Sequence, residues 1–160
     1  MKKDLLILEE DKQYARERIA ELDTQIIDLG PEFRKAFTQT SETWHDNAPF
    51  EAVRDQQSIL AAERHHLKLT LRSSLPSIPK QKKSVVGIGS IVHVINKKTN
   101  KKTIYFIAGD WTYRAGHKVD GAIIMSRKSP LALAMLGKKI NDEVIFNNTL
   151  LITEIEQKNS

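Results

Sequence analysis

The chain has 160 residues, of which 40% are apolar, 28% charged and 6% aromatic, with a net charge of +5 and no cysteine. That length suits one domain or two small units, and the composition excludes a disordered, collagen-like or low-complexity chain. Disulfides and thiolate metal sites are excluded too, and no apolar run approaches the about 20 residues of a membrane span. Lys2, Lys3 and Asp4 open the sequence without secretory or transit character, so a cytoplasmic protein is expected. Residues 1–75 hold 11 basic and 14 acidic side chains, and residues 76–160 hold 14 and 6. A half at −3 followed by a half at +8 implies two units with different surroundings. The basic half faces solvent, nucleic acid or an acidic protein surface.

Leu5, Leu8, Lys12, Ala15, Ile19, Leu22, Ile26 and Leu29 alternate spacings of three and four, the seam of a coiled-coil helix. Phe33 and Phe37 extend the stripe beyond Gly30-Pro31, where a kink or a fresh start is expected because an interior proline costs about 3 kcal/mol. Residues 38–48 are rich in Ser, Thr, Asp and Asn, which compete with the helix for backbone groups and suit a turn. Asn47 is placed to cap a second helix, with Pro49 in its first turn and a stripe of Val53, Leu60, Leu67 and Leu71. Two such helices pair as an antiparallel coiled coil, an arm of roughly 40 Å. Periodicity alone leaves a dimerisation arm equally open.

Residues 76–84 carry two prolines, three lysines and no periodicity, and form a linker. The period then changes to two. Residues 90–95 and 103–108 read as a hairpin around the polar turn 97–102, and Ala122 to Ser126 as a third strand. Ser129 can cap a short helix with Pro130 at its first position and Gly137 at its end. Residues 144–146 and 149–152 flank a turn at Asn147-Asn148. The expected fold is therefore α+β: a helical hairpin over 1–75, a linker over 76–84, and an antiparallel sheet domain with one short helix over 85–160.

Few residues suggest chemistry. Gly87-Ile88-Gly89 lacks the third glycine and the following helix of a dinucleotide loop, and fits a turn into the first strand. His65 and His66 are adjacent on a helix and cannot face one metal, and His45, His93 and His117 show no ligand spacing. Trp111 and Tyr113 suit either a partner-contact patch or a cover over the sheet. At the hairpin tip, Glu42 and Asp46 flank Trp44 and His45. Two carboxylates of this kind can share a Mg²⁺ with water and a phosphate-bearing partner, or simply be solvated.

The order of parts resembles the bacterial Gre transcript-cleavage factors. Residues 129–144, Ser129-Pro130 through Gly137-Lys138-Lys139 to Val144, are similar to the family signature SPIGRALLGKKVGDEV. Asp46-Asn47-Ala48 and Ala52-Val53-Arg54-Asp55-Gln56-Gln57 are similar to its ENAEYHAAREQQ. The resemblance implies an FKBP-like C-terminal domain that docks on RNA polymerase at the rim of its secondary channel, through Asp110, Ser129 and Pro130. It implies a coiled coil that enters the channel and brings Asp46 and Glu42 to the polymerase active site, so that the polymerase cleaves backtracked RNA. Asp46 would share the polymerase's Mg²⁺ only in that complex, and Trp44, Asn47 and Arg54 would contact polymerase or the nascent RNA 3′ end. On this reading the factor is a monomer, holds no cofactor stably, meets no membrane and is not itself an enzyme.

The departures lie at the tip. Thr43 occupies the column of the family's first acid, Asp46 that of the second, and Pro49-Phe50 replace Glu-Tyr. A Gre-like protein that occupies the channel without stimulating cleavage, or inhibits, is the alternative. Because FKBP-like domains include peptidyl-prolyl isomerases, an isomerase is a third reading, and it needs an aromatic-lined pocket. Direct binding of duplex DNA through the lysines of 97–102 is a fourth, though no recognition element accompanies them.

Overall fold

The computed structural model describes residues 2–42 and 48–158, except for the side chains of residues 33, 36–42 and 48. The chain divides into two compact units, residues 13–72 and residues 1–12 with 73–160. This partition differs from the expected one: the first twelve residues belong with the C-terminal part.

In the first unit, α1 (Glu9–Glu42) and α2 (Ala48–Arg72) are joined by residues 43–47. Ion pairs from α1 to α2, Arg18 with Glu63 and Asp23 with Arg64, set the two helices side by side as a hairpin. The seam is the expected one, since Ala15, Leu22, Leu29 and Leu67 are buried. Arg18 reaches across to Glu63 with two hydrogen bonds, of 2.7 and 3.0 Å, and holds its carboxyl below the usual range. Arg64 Nε also donates to the Asp23 carboxylate across the two helices.

No new helix starts at Pro31: α1 runs through it. Two local features make this tolerable. The carbonyl deprived of a donor belongs to Ile27, which is 74% exposed, so water can satisfy it. The residue before proline normally clashes through its Cβ, and Gly30 has none.

The second unit is a six-stranded sheet built from β1 (Ser90–Asn96), β2 (Lys102–Ala108), β3 (Lys118–Val119), β4 (Ala122–Ser126), β5 (Glu143–Phe146) and β6 (Asn148–Gln157), with α3 (Pro130–Met135) before β5. The strand order is β3-β4-β2-β1-β6-β5. All pairs are antiparallel except β2 with β4, so the sheet is mixed. A parallel pair needs a crossover of about a dozen residues, and residues 109–121 supply it. That crossover contains β3, a strand too short to show a period of two. It turns into β4 at Asp120-Gly121, both at positive φ (51° and 83°), the residue pair this tight reversal favours.

Alternation along the strands splits the apolar side chains between the faces. Val92, Val94, Ile107, Met125, Val144 and Ile152 pack against Ala132 and Met135 of α3. Phe106, Ala108, Ala122 and Ile124 lie on the other face, where Leu8, Leu6 and Ile78 cover them. Residues 5–8 are thus sheet cover and not the first turn of the coiled coil. Ile7 and Leu8 are both buried, and α1 begins only at Glu9. Their backbone passes so close to residue 109 that a Cβ there would fall on the Leu6 carbonyl oxygen. Gly109→Ala should cost about 3 kcal/mol of stability, read as a lower urea midpoint with the helix content retained. An unchanged midpoint would show that residues 5–8 are not packed against this glycine.

Candidate functional site

Three places carry the residues singled out from the sequence. The first is the hairpin tip. Thr43, Trp44, His45, Asp46 and Asn47 lie outside the described residues, and so does the side chain of Glu42, the last residue of α1. Arg54 is exposed in the second turn of α2, its guanidinium 4.0 Å from Asp55.

The second is the turn between β4 and α3. Ser129 caps α3 as its spacing implies, its hydroxyl accepting from the Ala132 N–H at 3.3 Å, with Pro130 exposed at the first helical position. Asp110 joins the same turn. The Ser126 hydroxyl donates to its carbonyl at 3.2 Å, and the Arg127 N–H donates to Gly109. The structure therefore brings Asp110, Ser129 and Pro130 together, but it corrects the role given to Asp110. Its side chain is 1% exposed and its carboxylate is fully engaged. One oxygen accepts from the Leu6 N–H at 2.7 Å, and Arg127 Nε donates to the other at 2.6 Å. The Asp110 N–H donates to the Leu6 carbonyl at 2.6 Å. Asp110 is a clamp on the N-terminal segment and offers no carboxylate to a partner. What the turn presents outward is Lys128, Pro130 and, one helical turn on, Leu133 at 60% exposure.

The third place lies beside this turn. Asp11, in the first turn of α1, is fully buried and accepts from the Thr112 hydroxyl at 2.9 Å. Arg114 approaches from the same loop, its Nε 4.0 Å from Asp11 and its Nη2 donating to Glu10 at 2.6 Å. The guanidinium lies over Phe106 and Tyr113. Asp11 Oδ2 and Arg114 Nε are both buried without a hydrogen-bond partner among the described residues. Periodicity gave no sign of this network. The available signal was Asp11-Lys12, two charged residues at the inner edge of an apolar stripe. Lys12 is buried as well, its ammonium donating to the Leu75 carbonyl at 2.7 Å.

The remaining sequence candidates are placed as follows. Residues 97–101 form the exposed turn between β1 and β2, with Lys102 opening β2 and Lys97 paired to Glu143. Trp111 is half-buried and Tyr113 is exposed. The cleft on the Phe106 face of the sheet has one aromatic in its lining, Phe106, with Arg114 and Lys158 over its ring. That is not the aromatic-lined pocket an isomerase requires. No helix is long and apolar enough to cross a membrane among the described residues.

Residues 80–156 match the family model described as transcription elongation factor, GreA/GreB, C-terminal domain. The C-terminal domain belongs to the GreA/GreB family. The stretch from Ser129 to Val144 that carries the sequence signature forms the cap, helix α3 and the entry to β5 of this Gre domain. The transcription elongation factor GreA of Rickettsia bellii is 29% identical over 100 residues, which cover 62% of this chain and 59% of that protein. GreA of Helicobacter hepaticus is 32% identical over 103 residues, covering 62% and 58%. The chain thus spans about three fifths of the length of the curated relatives it matches. The crystal structure of GreA factor homolog 1 of Thermus thermophilus aligns over 96% of this chain and 99% of its own, with 13% identity and a TM-score of 0.41.

Two measurements check the network of the Gre domain. Asp110→Ala removes hydrogen bonds to a charged acceptor and should cost about 2 kcal/mol or more, seen as a lower thermal midpoint. Asp11 responds to pH with the opposite sign to a paired carboxylate. Burial pushes its carboxyl above the ordinary 3.8, against the pull of Thr112 and Arg114. The folded state then disfavours the charged form, so Asp11 weakens the fold above its raised pKa. That penalty is relieved as pH falls through the raised value toward the unfolded one. Asp11→Asn should flatten the stability profile in that acid window and leave stability at neutral pH equal or higher. A variant with an unaltered acid limb would show that another group titrates there.

Proposed function

We propose that this chain is a Gre-type transcription elongation factor acting on bacterial RNA polymerase. The observation that carries the reading is a GreA/GreB domain over 80–156 preceded by a two-helix hairpin with Asp46-Asn47-Ala48 at the entry to its second helix. The domain docks at the secondary channel through the turn of Lys128, Ser129 and Pro130, and the hairpin reaches inward. The chain itself is not the enzyme. Any Mg²⁺ belongs to the polymerase, and the contribution of this chain is carboxylate from Asp46, with Glu42 second, near the nascent RNA 3′ end. A single acid holds Mg²⁺ poorly because the ion gives up its waters reluctantly, so the polymerase supplies the other ligands. The factor acts as a monomer in the cytoplasm and keeps no cofactor between encounters.

One observation favours a second reading. Thr43 stands where the family has its first tip acid, and Thr cannot supply a charge. A factor that occupies the channel without stimulating cleavage fits that substitution.

A transcript-cleavage assay on a stalled elongation complex separates the two. Under the first reading the protein accelerates cleavage, and Asp46→Asn lowers that activity about tenfold or more while binding persists. Under the second, the unaltered protein gives no cleavage above polymerase alone yet competes with an active Gre factor. For docking, Pro130→Asp with Lys128→Glu should weaken polymerase binding in the full chain, with the fold intact by circular dichroism. Unchanged binding in that double variant would place the docking surface elsewhere.

A further inference from the structure

His93 showed no ligand spacing in the sequence, and the fold supplies one. It sits in β1 directly opposite Glu154 of β6, and Glu156 follows on the same face of that strand. His93 Nδ1 lies 3.9 Å from Glu154 and Nε2 lies 4.0 Å from Glu156. One ring nitrogen and one oxygen from each carboxylate fall within 4.8 Å of one another. The ladder between β1 and β6 slips at this point, with an irregularity between His93 and Val94. Such bulges re-aim side chains and are common beside functional sites.

The charge arrangement favours a cation between the two acids. Two carboxylates two residues apart on one strand face repel each other. No Lys or Arg is within ion-pair distance of either among the described residues, although this half of the chain is strongly basic. A neutral imidazole carries one proton and can donate to only one of the two acids. The imidazole is 29% exposed and the carboxylates are 55% and 53% exposed, so an ion can enter without unfolding. Clefts lie on both sides of the ring, one bordered by Glu154 and one by Glu156.

We propose that His93, Glu154 and Glu156 bind a Zn²⁺ ion, with water in the remaining position. One imidazole and two carboxylates form a borderline donor set that selects a late transition ion over Mg²⁺ or Ca²⁺. Tetrahedral ligands at Zn²⁺ distances are about 3.4 Å apart, so the three side chains close by about 1 Å on one ring nitrogen when the ion binds. The ion ties β6 to β1 across the bulge and is separate from any Mg²⁺ met at the hairpin tip.

The test uses the untagged full chain, freed of metal by a chelator, titrated calorimetrically with Zn²⁺ in the presence of excess Mg²⁺. One equivalent should bind, and the thermal midpoint should rise. Co²⁺ in the same site should give the visible absorption of a four-coordinate ion. His93→Ala and Glu156→Gln should each weaken binding about tenfold or more. His65→Ala with His66→Ala should leave it unchanged. Glu156→Gln alters an exposed side chain, so it decides the matter even where His93→Ala fails to fold. No heat at micromolar Zn²⁺, equal binding in the Glu156 variant, or loss in the His65 and His66 variant would each overturn the site.

Discussion

The fold of the C-terminal part hangs on one buried carboxylate. Asp110 accepts from the backbone of Leu6 and from Arg127, and its own N–H returns a bond to Leu6. Through it, residues 5–8 are pinned over one face of the sheet and the turn leading to α3 is fixed from behind. The segment has no strand neighbours beyond an isolated bridge to Ser74, so without this clamp its backbone groups would have few partners. The apolar contacts of Leu6 and Leu8 and the side-chain bonds of Asp11 and Lys12 all presuppose that the segment lies where Asp110 holds it.

This arrangement separates two tasks within a short stretch. The side chains of the Asp110–Pro130 turn that face inward are committed to structure, while Lys128, Pro130 and Leu133 face outward. A buried charge pair is costly to desolvate and gives little net stability over an apolar pair of similar shape. Its advantage here is geometric. The carboxylate and the guanidinium specify directions as well as contact, and the turn they support is the part of the Gre domain proposed to meet the polymerase.

Sequence pattern revealed most of this where a period or a cap encodes it. The heptad seam marked Ala15, Leu22 and Leu29 as buried, and Ser129-Pro130 marked the start of α3. It failed where a local rule met a tertiary neighbour. Leu5 and Leu8 satisfy a helical spacing, yet they precede α1: Leu8 packs on the sheet and Leu5 bridges to Ser74. Pro31 should kink or restart the helix, yet α1 runs through it, helped by an exposed carbonyl and a preceding glycine. The parallel β2–β4 pair and the three ligating side chains at His93 depend on which strands become neighbours, and no spacing along the chain states that. The tip that gives the proposed activity is legible only through its likeness to Gre proteins.

The clamp also sets a timetable for the ribosome. Leu6 is made 104 residues before Asp110, and the clamp cannot close until Asp110 and Arg127 follow. Local helices form within microseconds, so the hairpin of 13–72 has its own partners long before then. Residues 5–8 do not, and their apolar side chains wait uncovered for the sheet to be completed. A closure between residues so distant in sequence carries a loop-entropy cost that local structure does not repay in advance. The segment therefore joins the fold late, with the sheet, and not with the helix that follows it in sequence.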